Sequence, residues 1–313
     1  MAGIRLASAA GSSDIQISLI NREIIYEALY FSRYGRDGRH LPSPSGSGQG
    51  HVQYFRKNMQ QQVEWVIEGI QKSKRNSEIE EIVIADSHGG GRNLSYDLCD
   101  LDDRIALISG TPRPQYMMPS MDSSYDLVFL VGYHSGVGEA SANMDHSYGG
   151  RTFHDVRING KYMNESTINS AYAGYHGVPV GLVIGDSALQ KQLITDGMMP
   201  WVEFVKTKDS LSMMSAKFRP KGVLRQETIE AVIKVLDGDY TSLPVYKIDA
   251  PYTLRIEFNM RTMFDFAMLL PGAKAVDGRT IEIHFDDYEE LFNGVMAVCY
   301  IVGMAYPFDA PRR

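Results

Sequence analysis

Apolar residues follow two rhythms along this chain. Within "VQYFRKNMQQQVEWVIEGIQKSK" they recur at helical spacing through Met59, Val63, Val66, Ile67 and Ile70, the signature of an amphipathic helix with one face on a core. Elsewhere they form short unbroken runs: "IQISLI" near the N-terminus, Ile82 to Ala85 inside "EEIVIADSHGGGRN", then "YDLVFLVGYHSG" and "GVPVGLVIGDSALQKQLI". Runs of this length, aliphatic on both faces, suit strands buried on both sides of a sheet. A helix leading into such a strand is the crossover unit of an α/β sheet. The C-terminal third changes pattern, because "TLRIEFN" and "TIEIHFDD" alternate like half-exposed strands and "YEELFNGVMAVCYIVGMA" reads as an apolar helix. The expected fold class is α/β, a sheet flanked by helices, with a smaller α+β C-terminal portion. His284, on one of the alternating strands, reads as structural.

Between these elements, "GRDGRHLPSPSGSGQG" is rich in Gly, Ser and Pro, which predicts a flexible loop over 33–50. The expected organisation is a flexible N-terminus over 1–14, one α/β unit over 15–303 and a tail over 304–313. No internal repeat interrupts it.

Chemistry gathers where the strands stop. Asn21 and Glu23 follow the first aliphatic run, Asp86 and His88 the second, His134 the third and Asp186 the fourth. In open α/β sheets the carboxyl ends of the strands border one crevice, so residues far apart in sequence meet there. A metal site is therefore expected at the strand C-terminal ends. The stretch "VGYHSGVGEASANMDHS" leaves a strand through three glycines and carries His134 near one end and His146 near the other. His88, His134, His146 and Glu165 are the ligand types of catalytic zinc, where two imidazoles and a carboxylate leave one position open for water. Their spacing contains no H-E-x-x-H, and taken alone it leaves capping or surface roles open for each.

Composition narrows the alternatives. The 313 residues are 44% hydrophobic and 22% charged, an ordinary globular balance, and the net charge of −7 disfavours a non-specific grip on nucleic acid or on an anionic membrane. Cys99 and Cys299 form no C-x-x-C pair, so neither a disulfide framework nor a thiolate zinc site is expected, and a reducing, cytoplasmic setting is. No segment reaches the roughly 18 to 20 apolar residues of a spanning helix. "HGGGRN" and "GVGEAS" complete neither phosphate-binding glycine motif, and no G-x-S-x-G is present.

In order and approximate spacing, "ADSHGGGRNL", "ALISG", "VFLVGYHSG", "MDHSY", "RINGKYMNESTINSAYAGYHGVPVGLVIGD" and "MLLPGAKAVDGRTIEIHF" resemble the DppA-like D-aminopeptidase family of zinc peptidases, from about Ile15 to Gly303. The resemblance makes 15–303 a catalytic unit. It implies that His88, His134 and Glu165 are zinc ligands and that His146 acts in catalysis, as general base or nucleophile. The family opens on a strand ending in D-x-E-G, whose aspartate bridges two zinc ions. Here "NREI" occupies that place, setting Glu23 against the glutamate and Asn21 against the bridging aspartate. An amide carries no charge and offers one oxygen, so the resemblance implies one tight zinc and a weakened second site. Asp86 is expected either to orient His88 or to cap the following turn.

The implied activity is zinc-dependent aminopeptidase hydrolysis of short peptides with D-residue preference. The implied assembly is a homo-oligomeric ring, a decamer of stacked pentamers. Two other readings stay open: a metal-dependent amidohydrolase of a non-peptide amide, and a non-catalytic peptide-binding oligomer, against which the retained His146 argues.

Overall fold

The computed structural model describes residues 15–21 and 47–305, with side chains from Arg56 onward. The aliphatic runs are strands: β1 (Ile15–Asn21), β2 (Ile79–Asp86), β3 (Ile105–Ile108) and β4 (Leu127–Tyr133). The amphipathic stretch is helix α1 (Ser47–Lys72). After β4 come β5 (Phe153–Ile158), β6 (Lys161–Tyr162), helix α2 (Glu165–Tyr175), β7 (Val180–Gly185) and the short helix α3 (Ser187–Gln190). The chain continues through β8 (Glu203–Lys206), the hairpin of β9 (Lys208–Ser212) and β10 (Ser215–Phe218), and helix α4 (Lys221–Asp237). It ends with β11 (Tyr252–Phe258), α5 (Arg261–Ala267), β12 (Lys274–Ala275), β13 (Thr280–Phe285) and α6 (Tyr288–Gly303).

Six strands form an all-parallel sheet in the order β3-β2-β1-β4-β7-β8. Numbered along the chain within that sheet, the order is 3-2-1-4-5-6, the doubly wound arrangement whose direction of growth reverses between its first and fourth strands. That reversal falls between β1 and β4. In register, Asn21 at the end of β1 lies level with Asp86 of β2 on one side and Val131 of β4 on the other.

Side-chain alternation divides the interior in two. Ile82 and Ile84 of β2, Phe129 and Val131 of β4, and Leu182 and Ile184 of β7 face a core closed by α1 and α4, through Val63, Ile67, Ile70, Val232 and Leu236. Val83, Leu130, Tyr133 and Val183 face the opposite core, which takes in Ile168 and Tyr172 of α2 and Leu291, Phe292 and Val295 of α6. A second sheet, antiparallel in the order β12-β13-β11-β5-β6, lines the far side of that core. The α+β portion expected at the C-terminus is present, and it also recruits β5 and β6 from the middle of the chain. His284 on β13 is exposed and pairs with the Thr253 hydroxyl at 3.0 Å.

The loop expected over 33–50 is corrected at its end, where Ser47–Gly50 belong to α1. Helix initiation is the costly step, and once the apolar face of α1 is packed the helix extends outward through polar residues. Residues 33–46, like Glu23 and the expected terminal segment 1–14, lie outside the described residues.

Candidate metal centre

The crevice at the strand ends is built by two segments. The first is the loop leaving β4. At Gly132, where φ is +77°, the pairing of β4 with β7 breaks register between Val131 and Tyr133, and the chain then turns out of the sheet at His134. The second is the start of α2. Asn164 caps that helix by accepting from the Thr167 N–H at 2.9 Å, while the Thr167 hydroxyl accepts from the Asn164 N–H at 3.0 Å. This reciprocal box fixes where the helix starts, and Glu165 is its first residue. The positive end of the helix dipole favours a carboxylate there.

His134, His146 and Glu165 meet in this crevice, all three buried, with one ligand atom from each lying within 4.8 Å of the others. The imidazoles stack with centroids 4.3 Å apart. Each ring is held from behind: His134 Nδ1 lies 2.8 Å from the Ser135 carbonyl oxygen and His146 Nδ1 lies 2.8 Å from that of Met144. A carbonyl only accepts, so Nδ1 carries the proton in both rings and Nε2 of the neutral ring is an acceptor. Those two Nε2 atoms stand 3.6 Å and 4.0 Å from the oxygens of Glu165, which are also acceptors.

Three converging acceptors of this kind suit a cation. The separations exceed a hydrogen bond; the 3.6 Å between His134 and Glu165 is close to the roughly 3.4 Å between two ligands bound at about 2.1 Å around a tetrahedral ion, and the 4.0 Å between His146 and Glu165 is longer. Backbone Nδ1–H···O=C bonds that leave Nε2 facing inward are also the usual outer support of metal-binding histidines. The donor set fits zinc.

Two left-handed residues make the arrangement possible. Met144 has φ of +56° and Tyr148 has φ of +58°, a conformation that costs an ordinary L-residue about 1 kcal/mol or more. Each contributes a backbone group to the site. The Met144 carbonyl holds the His146 ring, and the Tyr148 N–H donates to Glu165 Oε1. The Met144 N–H in turn donates to the Met213 carbonyl at the tip of the β9–β10 hairpin, 2.9 Å away.

The remaining expected residues sort as follows. His88 follows β2 and is not among the three residues whose ligand atoms all lie within 4.8 Å of one another. Asn21 ends β1, between β2 and β4, and Glu23 lies outside the described residues. Asp86 caps the turn that follows it. Its carboxylate accepts from the Asn93 N–H, from Asn93 Nδ2 at 2.9 Å and from the Leu94 N–H at 2.8 Å, while Asn93 Nδ2 also donates to the His88 carbonyl at 2.8 Å. It therefore carries His88 through the backbone of the turn. Asp186 caps α3 through the Leu189 N–H at 2.8 Å, and burial pushes its carboxyl pKa up.

Sequence reasoning missed Met144, Tyr148, Asn164 and Gln192. The first two act through backbone groups that leave no side-chain signature. Asn164 was detectable as an N-x-x-T capping pattern. Gln192 carries no local signal.

A doubly wound sheet with two imidazoles and a carboxylate at its switch point defines an α/β protein of the metallohydrolase type. The chain belongs to the D-aminopeptidase family, whose model matches residues 40–297. A D-aminopeptidase of Bacillus subtilis (strain 168) is 27% identical over 226 residues, covering 71% of this chain and 79% of that relative. Among solved structures, the Zn-dependent D-aminopeptidase DppA from Bacillus subtilis, a self-compartmentalizing protease, superposes with a TM-score of 0.75 at 21% identity, over 93% of this chain and 98% of that one. No helix among the described residues is long and apolar enough to cross a membrane.

Proposed function

We propose that the protein is a zinc-dependent aminopeptidase that hydrolyses short peptides with preference for D-residues at the N-terminus. The observation that carries the reading is the burial of His134 Nε2 beside the Glu165 carboxylate, 3.6 Å apart, with His146 next to them, a grouping of ligand atoms within 4.8 Å of one another that could hold a metal ion. Family membership and the similarity to DppA support the choice of zinc and of peptide substrate. Zinc held there supplies a Lewis acid for the scissile carbonyl and brings the pKa of bound water toward ~7.

The chain's own residues do the rest. His134 and Glu165 hold the ion, the first fixed by Ser135 and the second by Tyr148. His88, Glu23 and Asn21 are the residues through which the ends of β1 and β2 complete coordination, and the amide of Asn21 leaves a second ion weakly held. His146 faces the substrate. Its Nδ1–H stays on the Met144 carbonyl while Nε2 takes the proton of the attacking group and returns it to the leaving amine, the general-base role. The same subunit self-associates into a closed ring of ten, which restricts access to short substrates, in a cytoplasmic setting.

The test is hydrolysis of matched D- and L-aminoacyl amides by protein as purified, after exhaustive chelation and after zinc is returned. Faster turnover of the D series, lost on chelation and restored by zinc, is expected. Undiminished turnover after chelation would exclude the mechanism, and equal rates for both series would exclude the stereochemical preference.

A further inference from the structure

We propose that Gln192 is a positioning residue of the metal centre, a clamp that sets the loop leaving His134 against the helix that begins with Glu165. The inference rests on the metal-dependent reading above. Gln192 is buried in a single π-helical turn, Lys191–Thr195, that follows α3. Such turns are rare and recur at functional sites.

One side-chain amide reaches both ligand-bearing segments. Gln192 Oε1 accepts from the Gly136 N–H at 3.0 Å and from Asn164 Nδ2 at 2.9 Å, and Gln192 Nε2 donates to the Gly136 carbonyl at 3.4 Å. Gly136 stands two residues beyond His134, and Asn164 immediately precedes Glu165. Asn164 Oδ1 is at the same time the cap of α2. The helix start therefore cannot shift relative to the His134 loop without breaking either the cap or the clamp.

The contact is also sterically prepared. A Cβ on Gly136 would stand 2.3 Å from the Tyr162 hydroxyl and 2.7 Å from Asn164 Cβ, so only glycine lets the loop come this close. The Tyr162 hydroxyl donates to the Val137 carbonyl at 2.8 Å, and burial raises its pKa far enough to keep that proton in place. Outer partners of this kind change metal affinity by orienting ligands they do not replace.

The experiment compares the wild-type protein with Gln192→Met, which keeps the volume and removes all three bonds, and Gln192→Glu, which keeps the accepting oxygen. Two quantities are read: zinc affinity by chelator competition, and exchange of the Gly136 amide proton in the metal-free protein. In Gln192→Met, zinc affinity is expected to fall about 10- to 100-fold and Gly136 exchange to accelerate at least about tenfold, with Gln192→Glu between Gln192→Met and wild type in exchange because it keeps the oxygen that accepts from the Gly136 N–H and loses the donor to its carbonyl. A Gln192→Met protein with wild-type zinc affinity would overturn the proposal. Wild-type protein that binds no zinc would instead sink the functional reading. Gly136 exchange would then decide the clamp alone, unchanged exchange in Gln192→Met refuting it and faster exchange supporting it.

Discussion

Asp86 and Glu165 are both buried carboxylates at the edge of one crevice, and the protein satisfies them in opposite ways. Asp86 ends a strand and is closed by donors, with three N–H groups of the following turn meeting its two oxygens. Glu165 begins a helix and receives the Tyr148 N–H on one oxygen, while across from its carboxylate stand two imidazole nitrogens whose protons are committed elsewhere. A carboxylate ringed by donors holds a chain in place. A carboxylate grouped with two imidazoles could hold a cation. Residue type and position at a sheet edge do not distinguish the two, and the direction of the surrounding hydrogen bonds does.

The contrast is sharpest under mutation. Glu165→Ala or His134→Ala is expected to abolish zinc retention and to reduce aminoacyl-amide hydrolysis beyond the about 100-fold typical of losing an outer partner, measured as turnover beside metal content. His146→Ala is expected to lower turnover about 10²-fold or more while the zinc stays bound. A variant that emerges metal-free would place His146 among the ligands. Next in size, Asn21→Asp adds a charge at the end of β1, and a second zinc is expected to bind about tenfold more tightly in calorimetric titration. The smallest effect belongs to the other carboxylate. Asp86→Asn removes acceptor capacity from a turn rich in donors, and urea unfolding of the metal-free protein is expected to show a loss of about 1–2 kcal/mol, with zinc still bound. A turnover loss in Asp86→Asn as large as in Glu165→Ala would erase the distinction.

How much of this the sequence carries depends on which groups do the work. β2, β4 and β7 were legible because strands buried on both faces are written as continuous aliphatic runs, and α1 because its apolar stripe is regular. β5 was not, since "FHDVRI" alternates weakly and sits behind a glycine-rich loop, and the β9–β10 hairpin offers "KDSLS" and "SAKF", with little apolar pattern at all. At the site, His134, His146 and Glu165 were legible as ligand types in an ordered motif series. His88 was named with them, and its place relative to the cluster depends on strand order, since no local pattern states that β1 lies between β2 and β4. Gln192 was invisible for the same reason, because its partners Gly136 and Asn164 become neighbours only when the chain is folded.

Zinc content per chain after dialysis against limiting zinc decides whether His134 and Glu165 hold a metal ion. Wild-type protein is expected to retain one firmly held zinc per chain, with a coordination shell of nitrogen and oxygen at about 2.0–2.1 Å in X-ray absorption, and Glu165→Ala to retain none. A wild-type protein that keeps no zinc, or a Glu165→Ala variant that keeps as much as wild type, would contradict that assignment.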